Sequence, residues 1–268
     1  MLSARRTIAV DWSGAARGAE RRIWLAEVVE GRLLRLECGR TREELVRHLA
    51  DCTQREPSLA VGFDFAFGFP AWFARELGAG LAHEAWSAAA ERGEEWLARS
   101  PAPFFGRKGS RRPAKDPARP LWRRTELEHP ALQGIAPKSV FQIGGAGAVG
   151  TGSLRGMPLL PVLERAGFSI WPFARATPPF AAEIYPRWFT GPLAKSVRRS
   201  RALHLANHPL PAARELCELA EASEDAFDAA CSALALAGAR APADPAEFDS
   251  VFGLEGRIWR PITDPHAQ

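Results

Sequence analysis

Apolar and polar positions alternate from the first residues of the chain. Ile8, Val10 and Trp12 fall on one face of residues 7–12, and Thr7, Ala9 and Asp11 on the other, which is the period of a half-buried strand. RRIWLAEVVEG and RLLRLECG continue as two further strands joined at Glu30-Gly31, predicting a three-stranded antiparallel meander. Helical spacing follows in ELVRHLADC, where Thr41 is a good N-cap and Glu44 completes a capping box. LAVGFDFAF is a fourth strand, with Val61, Phe63, Phe65 and Phe67 on one face and Gly62, Asp64, Ala66 and Gly68 on the other. Pro70 opens a short helix, AWFAREL, which stops at Gly78. The order is βββαβα.

Residues 80–137 read as an insertion into this core: a helix carrying Trp86 and Trp96, then an irregular stretch with Pro101, Pro103, Pro113, Pro117 and Pro120. SVFQI, FSIWPF and AAEIYP are later strand candidates, and a glycine-rich loop and a helix separate the first two. Beyond them the chain is helical, with Pro211 opening one helix and Ser223 capping the next. The expected fold is α/β: one domain over residues 1–268, a mixed sheet flanked by helices.

At 268 residues and 46% hydrophobic content the chain can bury a full core. No apolar run is long enough to span a bilayer, and MLSARRTIAV enters a strand without a signal-peptide pattern. A cytoplasmic location without membrane attachment is expected. Cys38, Cys52, Cys217 and Cys231 lack C-x-x-C spacing, so they read as reduced thiols.

The net charge of +4 hides an uneven distribution. From Arg107 to Arg124 eight bases (Arg107, Lys108, Arg111, Arg112, Lys115, Arg119, Arg123, Arg124) face one acid, Asp116. Lys195, Arg198, Arg199 and Arg201 form a second run. Such blocks suit a nucleic-acid backbone, because each neutralised phosphate releases counterions; a solvated basic loop is the alternative.

Against this basic background, carboxylates stand among apolar residues at Asp11 in TIAVDW, Asp64 in GFDFAFGFP, Glu183 in AAEIYP, and Asp225 with Asp228 in SEDAFDAA. Acids so placed need a metal, a partner or a catalytic task. Small residues flank Asp11 and Asp64, leaving room for a ligand. Asp225 and Asp228, three apart on a helix, can act together, although first-turn acids are also favoured by the helix dipole. Glu183 shares a strand face with Tyr185, and pairing with an arginine such as Arg187 would explain it equally well.

An acid on the first strand, another on the fourth after a βββα unit, and a D-x-x-D late helix together resemble the RNase H-like fold, and the helix resembles that of Holliday-junction resolvases. DWSGA, GFDFAFGFP, EIYP and EDAFDAA, in that order, resemble the domain of unknown function 429 family, prokaryotic predicted nucleases with that fold. The resemblance spans nearly the whole chain. It implies that Asp11, Asp64, Asp225 and Asp228, with Glu183, hold Mg²⁺ or Mn²⁺ for metal-activated hydrolysis of a phosphodiester in nucleic acid. The basic segment, including Arg107, Lys108, Arg111, Arg112, Arg123 and Arg124, would hold the backbone, and Trp122 would stack on a base.

GGAGAVGTGSLRG contains a G-x-G-x-x-G at Gly145, Gly147 and Gly150. A dinucleotide site needs a helix beginning on the third glycine and an acid about 20 residues on. Thr151, Gly152, Ser153, Gly156 and Pro158 are expected to delay the helix, and the acid is missing. A different phosphate-gripping loop, assisted by Lys138, Ser153 and Arg155, stays open. With Asp11 and Gly14 after the first strand, it supports the alternative of an ATP-dependent phosphotransferase resembling sugar kinases, heat-shock ATPases and actin. A non-catalytic nucleic-acid-binding protein is the third reading. His204 and His208 have zinc-ligand spacing, followed by proline.

Overall fold

The computed structural model describes residues 6–128 and 135–260, so 129–134 of the expected insertion lie outside the described residues. The protein is α/β. Six strands, β1 (Arg6–Asp11), β2 (Trp24–Val29), β3 (Arg32–Glu37), β4 (Leu59–Phe63), β5 (Ser169–Trp171) and β6 (Phe180–Glu183), form one mixed sheet in the order β3-β2-β1-β4-β6-β5. The meander β1–β3 is antiparallel, and β1, β4, β6 and β5 run parallel. Glu30 and Gly31 both take positive φ, as a tight hairpin turn whose twist matches the strands requires. Thr41 and Glu44 form the expected capping box at the start of α1 (Arg42–Arg55).

The alternation in the strands sorts residues between two cores. Ile8, Val10, Trp12, Val61, Phe63, Phe65 and Phe67 pack together on one side with α1, α2 (Ala71–Glu76) and α3 (Ala82–Arg99). Trp86 and Trp96 of α3 are buried in that core, so this part of the expected insertion supports the sheet rather than standing apart from it. The short helices α4 (Arg124–Glu128), α5 (Val149–Gly156), α6 (Leu160–Arg165) and α7 (Arg187–Thr190) follow. The opposite face carries Ala9, Ala26, Ala60 and Ala182, covered by α10 (Glu224–Ala237) through Ala226, Ala229, Ala230 and Ala233. Alanine on the helix meets small residues on the sheet: a Cβ on Gly62 would lie 2.7 Å from Leu236 Cδ1. Helices α8 (Arg198–Asn207), α9 (Arg214–Ala222) and α11 (Phe252–Glu255) complete the chain.

Two sequence expectations give way. SVFQI forms no sheet strand; it makes a single bridge, Phe105 with Gln142, and drives Val140 and Phe141 into the aromatic core beside Phe69, Phe73 and Phe104. The glycines at 150, 152 and 156 do not delay a helix, because α5 begins at Val149 and contains all three. A Cβ at Gly150 would collide with Val140 O, and one at Gly156 would stand 2.6 Å from the Phe65 ring. These glycines let the helix seat close against the core, and that packing outweighs their poor helix propensity. No helix among the described residues is long and apolar enough to cross a membrane.

Candidate functional site

Parallel pairing brings the carboxyl ends of β1, β4 and β6 to one edge of the sheet, the edge where α/β folds place ligands. Val10 pairs with Phe63, so Asp11 and Asp64 stand side by side at that edge, their backbones about 5 Å apart. β4 ends one residue before Asp64, whose N–H donates to Val10 O at 3.1 Å. Asp11 has the parity of Ala9 and Thr7, which face α10; Thr7 Oγ1 donates to Ala233 O at 3.1 Å. Asp64 has the parity of Gly62 on that same face. Ser223 accepts from the Ala226 N–H to start α10, and one turn later the helix delivers Asp228, 1% exposed, to the strand ends.

The carboxylates influence one another strongly. Burial first, then the charges of Asp228, Asp64 and Asp225, hold the Asp11 carboxyl well above the ordinary range. Burial and Asp228 push Asp64 up to about 7. Burial also raises Asp228, and Asp225 is raised by burial and Glu224. The opposing cation is Lys195, whose ammonium donates to Asp228 Oδ2 and lies 3.6 Å from Glu224. Burial works to lower the Lys195 pKa, but the charge and hydrogen bond of Asp228 outweigh it and keep the ammonium protonated. Asp228 Oδ1 is buried without a hydrogen-bond partner, at a cost of about 1–3 kcal/mol.

A cavity of about 380 Å³ opens here. Asp64, Asp228, Lys195 and Glu224 line it together with Trp12, Gly14, Gly147, Tyr185, Arg187 and Lys138. Asp11 and Asp225, both partly exposed, are not among the lining residues and act on the lining acids through their charge. No family model, curated protein or solved structure matches this chain.

Lys195 was visible in the sequence only as one base in a run. Its short strap, residues 191–197 between α7 and α8, is held at both ends. Arg187 donates to Leu193 O at 2.9 Å, and the buried Arg201 donates to Lys195 O, Glu221 O and Ala222 O. The second basic run is thus partly a scaffold that aims one ammonium at the acids.

Several expected site residues are structural. Glu183 accepts from the Phe67 N–H at 2.9 Å and from both terminal nitrogens of Arg123, at 2.8 and 2.5 Å. Its arginine is therefore Arg123, sixty residues away, and not Arg187. Arg123 is 0% exposed and also binds Glu126 and Glu255 O, so it cannot hold a substrate backbone. Arg124 pairs with Glu128 at 3.2 Å. Ser153 is buried, donating to Val149 O and accepting from the Ala66 N–H. Arg155 is bound to Glu94 at 2.7 and 2.8 Å and to Gly14 O. Gly147 reaches the cavity wall and Gly145 does not. The N–H groups of Val149 and Gly150 donate to Gly147 O and Gln142 O, and Gly147 and Ala148 of the turn line the cavity. Trp122 is half-buried with the Arg112 guanidinium 4.6 Å over its ring. The rings of His204 and His208 lie 4.8 Å apart, and among the described residues no group of three His, Cys, Asp or Glu side chains is set to hold an ion as it stands.

Gly14 locks the turn after β1 under α5, since an added Cβ would collide with Gly152 N. Gly14→Ala is therefore expected to destabilise the fold by about 1–3 kcal/mol, seen as a lowered urea midpoint. An unchanged midpoint would show that the turn is not held as described.

Proposed function

We propose that this protein is a divalent-metal-dependent phosphodiesterase acting on nucleic acid, built on an RNase H-like sheet. The observation that carries it is the meeting of Asp11, Asp64 and Asp228 at one sheet edge around a half-buried ammonium, with an unpartnered carboxylate oxygen on Asp228. Three antiparallel strands followed by parallel ones, acids at the ends of the first and fourth, and a D-x-x-D helix laid over them support the fold reading.

The chemistry of these carboxylates suits Mg²⁺ or Mn²⁺ once the side chains close in on an ion, which they do not do as they stand. These are hard cations that take carboxylate oxygens, and Asp64 and Asp228 offer such oxygens in the cavity while Asp11 adds its charge beside them. Lys195 holds the place of the cation, so loading requires its ammonium to leave Asp228. A bound ion supplies Lewis-acid activation of water and of the phosphodiester. Lys195, once displaced, remains at the cavity wall to neutralise a phosphate oxygen. Trp12 and Phe65 add apolar surface to the cavity lining, and Lys138 adds a second cation.

Calorimetric titration with Mn²⁺ is expected to show saturable binding that falls at least tenfold in Asp64→Asn, as loss of a direct oxygen ligand implies. Mn²⁺-dependent cleavage of DNA or RNA should disappear in the same variant. Equal Mn²⁺ affinity in the variant, or cleavage indifferent to EDTA, contradicts the proposal. Binding of nucleic acid without turnover across DNA and RNA would instead identify a non-catalytic protein. An ATP-dependent phosphotransferase is the alternative, because Gly147 and Ala148 of the glycine-rich turn line the same cavity as the acids; ATP binding lost on Gly147→Val would favour it.

A further inference from the structure

We infer that a groove beside the acid cavity binds single-stranded nucleic acid, which makes an unpaired strand the substrate class of the proposed phosphodiesterase. This rests on the functional reading above for the chemistry, but not for the binding.

The groove has a volume of about 780 Å³ and shares Glu126, Pro137 and Lys138 with the acid cavity, so the two adjoin. Tyr185 ties them, lining the cavity and donating to Ala136 O on the groove wall at 3.2 Å. Its floor is apolar: Leu121, Trp122 and Leu127 with Pro113, Pro117 and Pro120. Leu127 is 58% exposed, an apolar side chain left open to a ligand.

Charge on the rim separates a binding surface from an ordinary basic loop. Of the bases from Arg107 to Arg124, Arg119 pairs with Glu76, Arg123 with Glu126 and Glu183, and Arg124 with Glu128. Arg107, Lys108, Arg111, Lys115 and Lys138 form no ion pair among the described residues, and Arg112 rests on the rings of Phe105 and Trp122. Of these, Lys115 and Lys138 line the groove itself, with Arg112 over its aromatic wall and Asp116 the one acid of the basic segment beside them, and Lys138 stands at the junction with the acids. A duplex would present charged phosphates and buried bases to an apolar floor that can solvate neither. An unpaired strand lays base faces on Leu121, Leu127 and proline and keeps its phosphates on the basic rim, the usual division of labour in single-strand binding.

The test is fluorescence anisotropy in EDTA with a labelled oligonucleotide of about twelve nucleotides, as a single strand and as a blunt duplex of the same sequence, over a salt series. The single strand is expected to bind at least tenfold more tightly, with an affinity that falls as salt rises. Lys115→Ala with Lys138→Ala should weaken it about tenfold and flatten the salt slope. Leu127→Asp, exposed and harmless to the core, should weaken it too, whereas Arg99→Ala on the far end of α3 should not. Duplex binding as tight as the single strand, heparin or an acidic peptide competing equally well, or insensitivity to Leu127→Asp would overturn the inference. Tight single-strand binding with no Mn²⁺-dependent cleavage would leave the groove standing and remove the catalytic reading alone.

Discussion

Arg123→Met is expected to cost about 3–5 kcal/mol of stability, a large part of what a domain has in reserve. The guanidinium is completely buried and satisfies two carboxylates at once, Glu126 through Nε at 2.8 Å and Glu183 through both terminal nitrogens, with a further bond to Glu255 O at 3.1 Å. Removing it strands two buried carboxylates without a counter-charge. Burial already pushes Glu126 up to about 7 with Arg123 present. Arg123→Lys should recover little, since a single ammonium cannot reproduce the planar fork. Combining Arg123→Met with Glu126→Gln and Glu183→Gln should recover much of the loss by removing both orphaned charges. Urea midpoints measure all of this. A loss below about 1 kcal/mol in the single variant would mean that the network is solvated and is not the keystone of the β4, β6 and α4 junction.

The second large effect has the opposite sign. Asp64→Asn should stabilise the metal-free protein at pH 8, on the order of 2–4 kcal/mol, while removing its response to Mn²⁺. The folded-state pKa of Asp64 is raised to about 7 by burial and by Asp228, above its unfolded value of about 4. The stability this carboxyl contributes is then fully present below pH about 4 and is lost as pH rises through about 7. The neutral amide of the variant has no charge to bury and keeps that stability at every pH. Differential scanning calorimetry from pH 4 to pH 8 should show the wild-type melting temperature falling relative to the variant, and Mn²⁺ at pH 8 should raise the wild type alone. A variant less stable than wild type at pH 8 would show that the ionised Asp64 is satisfied within the fold. Stability given up at a cluster of buried acids is a trade-off common at functional sites.

Much of this architecture was legible in the chain. The meander, the capping box at Thr41 and the helix from Ser223 follow from periodicity and local capping, and parity set Asp11 with Ala9 and Asp64 with Gly62 on the small-residue face of each strand; the pairing of β1 with β4 made it one face. SVFQI misled because an apolar run of five residues suits a buried loop as well as a strand. The segment from Gly144 misled because glycine scores against a helix wherever neighbours are unknown, and here Val140, Trp12 and Phe65 sit where side chains would have been.

The sequence by itself determined the element types, the face on which each strand residue stands, and the clustering of acids near strand and helix ends, because these depend on neighbours within one strand or helical turn. Only the tertiary structure decided which charges cancel. Glu183 found Arg123 and Asp228 found Lys195 across 60 and 33 residues of chain. Coulomb energy depends on distance and burial rather than on sequence separation. The same folding that consumed Glu183, Arg123, Arg155 and Ser153 as structure left Asp11, Asp64 and Asp228 together at the open edge of the sheet.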